Sequence, residues 1–585
     1  MKKIINQPES VVLDMLHGLV YAHPELALDS KYKVITRRNK NPEKVNLISG
    51  GGSGHEPAHA GFVGTGMLDA AVCGDVFASP SQIQVYQAIK SCASSKGVLL
   101  IIKNYSGDMM NFQNAAYLAS EDGIVVDYVK VDDDIAVQDS LYTVGRRGVA
   151  GTVFVHKIAG AAAERGLDLA AVKTVAEKVA RNVRSLGFAF TSCTVPAKGT
   201  PTFTLGADEM EYGVGIHGEP GIQREKVLSA DELAKRMTEA LVRDLQIQGR
   251  NGAEVALLMN GFGATPLQEL YILTQSVARE LDCYGISVQK TLVGNYMTSI
   301  DMAGASVSIL VLDDELKQLL AETCDTPALK LSGPLEPSTL QARTQATGQS
   351  TVARTVELSS DAGVIKNNQL TVENVIYAID QMSACIIENE VPFCELDSHA
   401  GDGDFGMSVA KGFRQLQREW NDLLANHSQS IGDFLESCSL IIMEHCGGAS
   451  GPIWGSAFRA AGKYAGDQTS LSQAELAAMM QAAVVGIQKT GERSFGRGAG
   501  IGDKTLMDAL IPCAESLAAD AANGKTILEA WHNGAEAAKA GAESTKAIVA
   551  RMGRAGTVGE RSLGYPDAGA HALGVIFTAI ADSFQ

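Results

Sequence analysis

None of the ten cysteines stands in a CxxC pair or clusters with histidine at zinc-binding spacing, so neither a disulfide framework nor a structural zinc site is expected. A reducing, cytoplasmic setting suits that usage. Positive charge is also scarce: 49 Lys and Arg stand against 67 Asp and Glu, a net charge of −18. This argues against nucleic acid or an anionic membrane as partner, since both are recognised by a basic face. No apolar run approaches a membrane span; Val98–Ile102 is strand-sized. The opening MKKIINQPES reaches Asn6, Gln7 and Pro8 before an apolar stretch of signal-peptide length, and export is not expected. The Walker pattern GxxxxGK[ST] and the kinase HRD signature are missing as well, so any nucleotide must be held in another way.

What is abundant is glycine, 60 residues against 3 Trp, which points to loop-rich α/β or small-residue helical structure. At 585 residues, two to four domains are expected. Residues 9–22 carry helical apolar spacing. Strand-like runs follow at Val45–Ile48, Ala70–Val72, Val98–Ile102, Ile124–Val129 and Thr152–His156, alternating with helices at Ser81–Ser91 and Met110–Ser120. A second α/β lobe follows, with helices at Leu169–Ser185 and Ser229–Gln246. Its strands are expected near Phe188–Thr194, Gly213–Gly215, Glu254–Asn260, Cys283–Thr291 and Ser306–Leu312. We place the lobes at about 1–186 and 187–331. Residues 332–368 read as a flexible linker that spans on the order of 100 Å when extended, enough for the next domain to serve its own chain or a neighbour's. From 369 to 585 strand signals vanish and about eight helical stripes predict an all-α bundle.

Four stretches carry chemistry. Leu47–Gly61, LISGGGSGHEPAHAG, runs a strand into Gly50–Gly52 and Gly54, whose backbone can approach a small ligand closely, and delivers His55 at the loop's end. IIKNYSGDMMNF sets Lys103 and Asp108 at a strand's C-terminal end, either as a substrate-holding cation and a base or as a surface ion pair. EMEYGVGIHGEPG leaves His217 among small residues, free to present a ring nitrogen or simply filling space. LDSHAGDGDFGMSVAKGF gathers Asp397, Asp402 and Asp404 on a glycine-broken turn, a set that suits Mg²⁺, or else a solvated turn with Asp404 capping a helix. An EF-hand is disfavoured, because Gly412 occupies the position of its closing glutamate. Three further glycine-rich loops, Cys446–Gly455, Arg497–Asp508 and Gly553–Ala570, fall at helix ends where N–H groups bind phosphate, with Lys504 or Arg554 as added charge.

Taken together, GGGSGHEPAHAGFVG, GDVFASPS, IIKNYSGDMMNF, EYGVGIHGEPG and VGNYMTSIDMAG, followed by the Asp motif, GGASGP, GDKTLMDAL and ERSLGYPDAGA, resemble the single-chain, ATP-dependent dihydroxyacetone (glycerone) kinases over nearly the whole length. The resemblance implies an α/β plus all-α architecture: a two-lobed α/β substrate domain, an eight-helix nucleotide domain, and a homodimer. It implies that His217 holds the ketone as a hemiaminal, that His55, Lys103 and Asp108 serve the reactive hydroxyl, and that Gly52, Ser53 and Gly54 give backbone contacts. Asp397, Asp402 and Asp404 would hold two Mg²⁺ ions bridging the phosphates of ATP. Phe405, Gly406, Met407, Ser408, Ala449, Ser450, Leu506, Arg554, Asp567, Ala568 and Gly569 match positions near the nucleotide. Phe405 and Ala568 depart from the usual pattern. The implied product is dihydroxyacetone phosphate, with glyceraldehyde as a second substrate. Alternatives are a four-carbon ketose such as erythrulose, a lyase splitting FAD into AMP and cyclic flavin phosphate, and a carbonyl-sensing regulator.

Overall fold

The structure, a computed structural model, describes residues 2–138, 145–250, 252–340, 358, 361–399, 401–552 and 559–585. Arg554 and most of the expected linker lie outside them. Two units divide the chain, Met1–Arg343 and Thr344–Gln585.

In the first unit, one sheet contains β1 (Leu26–Asp29), β2 (Val34–Arg37), β3 (Asn46–Ser53), β4 (Ala70–Val76), β5 (Val98–Lys103) and β6 (Val126–Val131), in the order β1-β2-β4-β3-β5-β6. Strands β4, β3, β5 and β6 run parallel, and β1 and β2 form an antiparallel edge. All eight residues of β3 are buried. Its side chains alternate between two cores: Leu47 faces one and Ile48 the other.

The second sheet contains β7 (Val183–Ala189), β8 (Glu209–Tyr212), β9 (Gln223–Lys226), β10 (Glu254–Gly261), β11 (Ser287–Gly294) and β12 (Gly304–Leu312), in the order β11-β10-β12-β7-β8-β9. Helices Thr152–Glu164 and Leu169–Asn182 contribute to the same apolar core as the inner faces of both sheets, while helix pairs cover the two outer faces. The sequence predicts a strand at Thr152–His156, and the structure corrects it to the first turns of helix Thr152–Glu164. Residues Thr152 to Ala163 are all buried, so the segment has no solvent-facing side and carries no amphipathic stripe to reveal it. The strand expected at Gly213–Gly215 is the loop after β8.

Among the described residues of the second unit, eight helices of fourteen residues or more close a ring. Val372–Glu388 packs on Phe405–Arg418, then in turn Ile431–His445, Ser450–Ala465, Gln473–Phe495, Met507–Ala522, Ile527–Ser544 and Ala568–Ser583, which returns to Val372–Glu388. Their inner faces form a single apolar core. Two short helices, Glu390–Asp397 and Trp420–Asn426, are added to the ring. Close approach needs small residues: a Cβ on Gly541 would stand 2.0 Å from the Asp508 carbonyl oxygen of the neighbouring helix. No helix among the described residues is long and apolar enough to cross a membrane.

Candidate functional site

The parallel strands of the first sheet end together, the usual place for a working site in such a sheet. Beyond β3, His55 is fully buried, and its Nδ1–H donates to the Thr298 carbonyl at 2.9 Å. That bond fixes the tautomer and leaves Nε2 with its lone pair, 3.2 Å from Nε2 of His217. His217 therefore carries its proton on Nε2 and donates it to His55. Burial and the nearby Lys103 charge hold both rings well below the ordinary histidine pKa, so both are neutral near pH 7.

At the end of β5, Lys103 is fully buried, and Asp108 lies in the first turn of helix Ser106–Glu121. Gly51 faces both: a Cβ there would stand 3.1 Å from Lys103 Nζ and 3.4 Å from Asp108 Oδ2. Burial raises the Asp108 pKa against the pull of Lys103 and a Ser79 hydrogen bond, which makes this carboxylate a stronger base; burial lowers Lys103. Among the described residues, Lys103 Nζ, Asp108 Oδ1, Tyr105 Oη and His217 Nδ1 are buried without hydrogen-bond partners. Four unpaired polar groups at one place are costly unless a polar ligand completes them.

The loop also has internal hydrogen bonds. Gly54 N–H donates to the Glu56 carboxylate, and the Ser53 hydroxyl donates to the Gly74 carbonyl. These groups brace the pedestal under His55. Gly52 accommodates the segment after β4, because a Cβ there would meet Phe77 and Ala78 backbone at 2.7–2.9 Å. His217 is braced likewise: its N–H donates to Glu219 Oε2 at 2.8 Å, and Glu219 pairs with the buried Arg147, which also holds Asp134. Thr298, Glu219, Arg147, Phe77 and Tyr105 escaped sequence reasoning as site residues. GDVFASPS and IIKNYSGDMMNF were the only signals for the last two.

In the helical unit, oxygens of Asp397, Asp402 and Asp404 lie within 4.8 Å of one another. Asp397 also accepts from Gly403 N–H at 2.9 Å, and burial together with the two neighbouring carboxylates raises its pKa. Three hard oxygen donors so close repel one another until a dication sits between them, and this donor set fits Mg²⁺.

Five of the eight ring helices begin on a Ser, Thr or Asp side-chain cap. The three that lack one start after Asp404, Ala449 and Leu506, and all three open on the cleft beside the carboxylates. Their first-turn N–H groups suit phosphate oxygens. Phe405, Ser408, Ala449, Ser450, Leu506, Asp567, Ala568 and Gly569 line that cleft. Gly406 and Met407 do not. A Cβ on Gly406 would strike the Glu390 carbonyl at 2.0 Å, so this glycine serves helix packing, and the Met407 side chain is exposed. Lys504 is a further correction. Its ammonium donates to the carbonyls of Ile548, Ser562 and Tyr565, and is thus committed to the fold.

Residues 17–328 match the Dak1 domain and residues 399–582 the DAK2 domain. The chain is 54% identical over 316 residues, covering 54% of this chain and 95% of the relative, to the dihydroxyacetone-binding subunit DhaK of the PTS-dependent dihydroxyacetone kinase 1 of Listeria innocua. It is 35% identical over 584 residues to the D-erythrulose kinase of Mycolicibacterium smegmatis, covering 100% of this chain and 98% of that one. The crystal structure of the dihydroxyacetone kinase from C. freundii in complex with AMP-PNP and Mg²⁺ matches with a TM-score of 0.60 at 31% identity, over 100% of this chain and 99% of that one. An α/β Dak1 unit joined to a helical DAK2 unit defines a kinase class. The chain belongs to the single-chain dihydroxyacetone kinase family.

Proposed function

We propose that the chain phosphorylates dihydroxyacetone with ATP, giving dihydroxyacetone phosphate and ADP, and that glyceraldehyde is a second substrate. The observation that carries this is the pair of neutral histidines meeting Nε2 to Nε2 at 3.2 Å, beside a buried lysine and carboxylate without full partners. As His217 Nε2 bonds to the ketone carbon, its proton passes to His55 Nε2 and the carbonyl π pair moves onto oxygen. That oxygen then takes the proton from His55, leaving a hemiaminal and a neutral His55. Glycerol has no carbonyl to capture and is rejected.

Lys103 orients the substrate hydroxyl, and Asp108 accepts its proton as the hydroxyl oxygen bonds to the γ-phosphorus of ATP and ADP departs. Asp397, Asp402 and Asp404 would hold Mg²⁺, two ions in our reading, and bound Mg²⁺ supplies charge neutralisation at the phosphates. Self-association as a homodimer belongs to the same reading and is checked by light scattering on the eluting protein.

A four-carbon substrate is the second reading, favoured by the full-length similarity to an erythrulose kinase. The test is ADP release with Mg·ATP and dihydroxyacetone beside glycerol and erythrulose, repeated with His217→Ala. We expect turnover on dihydroxyacetone, little on glycerol, and a loss of kcat/KM on the order of 10³-fold in the variant. Preference for erythrulose moves the substrate to the second reading. Silence with every ketone, together with AMP release from FAD, replaces kinase activity with lyase activity; silence in both assays leaves the regulatory reading.

A further inference from the structure

Phe77 is the first residue past β4 and holds a left-handed backbone, φ +57°, that a non-glycine residue rarely adopts. The surrounding loop is shaped to keep it there. Its N–H donates to the Ser53 carbonyl at 2.9 Å. A Cβ on Gly52 would press on its backbone at 2.8–2.9 Å, and a Cβ on Gly54 would stand 2.8 Å from its ring Cε1 and 3.2 Å from Ile300 Cγ1. Two glycines of the GGGSG run are therefore needed to seat this one ring.

The ring stacks on His55, centroids 5.3 Å apart at 27°, and meets His217 edge-on at 5.3 Å and 72°. Tyr105 is the other aromatic wall, 4.6 Å from the His217 ring, and it carries Lys103 with it, Nζ 5.4 Å from the Tyr105 centroid. A ketone carbon attached to His217 has two substituents. In the reading proposed above the reacting hydroxymethyl turns toward Lys103 and Asp108, which leaves the Phe77 side of His217 for the remaining substituent.

The geometry points to Phe77 as the residue that sets the length of ketose the site accepts, its ring closing the space beyond the carbonyl so that one hydroxymethyl group fits better than a longer polyol. This rests on the reading of His217 as the carbonyl-capturing group. Phe77 takes no proton and forms no bond. Its effect is steric, and steric selection follows the volume of the side chain.

The experiment measures kcat/KM of the full chain with Mg·ATP on dihydroxyacetone, erythrulose and a five-carbon 2-ketose, for wild type, Phe77→Ala, Phe77→Leu and Phe77→Trp, with melting temperatures alongside. The expected result is a graded series. The ratio of kcat/KM for erythrulose over dihydroxyacetone rises about tenfold in Phe77→Ala, rises less in Phe77→Leu, and falls below wild type in Phe77→Trp. A merely loosened fold lowers all substrates together and cannot move the ratio in opposite directions. Wild-type turnover with a ratio that stays within about twofold across the series overturns the assignment of Phe77 while leaving the site intact. Absence of ketose-dependent ADP release from wild type overturns the capture reading and this assignment with it.

Discussion

Two buried lysines show how differently one residue type is used. Lys504 lies in GDKT, a near miss of a phosphate-binding pattern, yet three carbonyls surround its ammonium. Lys103 is fully buried and has no hydrogen-bond partner among the described residues. The first lysine holds a loop in place, and the second awaits a ligand. Lys504→Met strands three carbonyl oxygens and is expected to lower stability by about 3 kcal/mol, read as a fall in the melting temperature of the helical unit. Lys103→Met relieves the burial of an ammonium, so the melting temperature should hold or rise while ketone-dependent ADP release collapses. A Lys103→Met variant that melts far below wild type would contradict the account of a ligand-seeking lysine. From sequence these two residues look alike, each beside glycine, serine or threonine and an aspartate. Only the partners contributed by distant chain separate them.

At the level of elements, what was legible depended on whether a segment has two distinguishable faces. Val372–Glu388 is one of the helical stripes the sequence displays, because one side of it is apolar and the other wet. Thr152–Glu164 has no wet side, and its opening TVFVH, rich in β-branched and aromatic residues, imitates a strand. The antiparallel edge β1–β2 was missed because its two strands are only four residues long. The site divides in the same way. His55, Lys103, Asp108 and His217 stand in glycine-marked turns that sequence displays, whereas their supports arrive through tertiary contact, such as Thr298, 243 residues from His55. Spacing carries no trace of that bond.

The buried helix also yields a prediction. A Cβ on Gly160 would lie 2.4 Å from the Gly66 carbonyl oxygen, a backbone atom that cannot swing aside as a side chain can. Gly160→Ala should therefore lower the stability of the α/β unit by about 1–3 kcal/mol, despite alanine's better helix propensity. Thermal melting followed by circular dichroism tests this, and a stabilised variant would mean that the two segments are less tightly packed than described.

Across the whole molecule, buried titratable groups make stability depend on pH, with opposite signs for a buried histidine and a buried aspartate. His156, hydrogen-bonded to His59 at 3.0 Å inside the α/β unit, has its pKa pushed by burial down to about 3. An unfolded histidine takes a proton near pH 6.5. Between those values the unfolded chain binds more protons, so this residue's contribution to stability is lost as pH falls below 6.5. In the helical unit burial raises Asp567 to about 7, with the Asp508 charge adding to the effect. Here the folded chain binds the extra proton between pH 4 and 7, and stability rises as pH falls through that window. Buried Asp108 and Asp134 oppose the histidine within the α/β unit, so the sum is not the test; differences between variants are. His156→Phe should flatten the acid-side loss of the α/β transition. Asp567→Asn, which keeps a side-chain oxygen for the helix cap on Ala570 N–H, should remove the acid-side gain of the helical transition. Melts of the full chain from pH 7.5 to 5, without divalent cation, measure both slopes. Each removed term approaches about 1.4 kcal/mol per pH unit where the linkage is complete. Parallel slopes in variant and wild type would show that the residue's proton affinity does not change on folding.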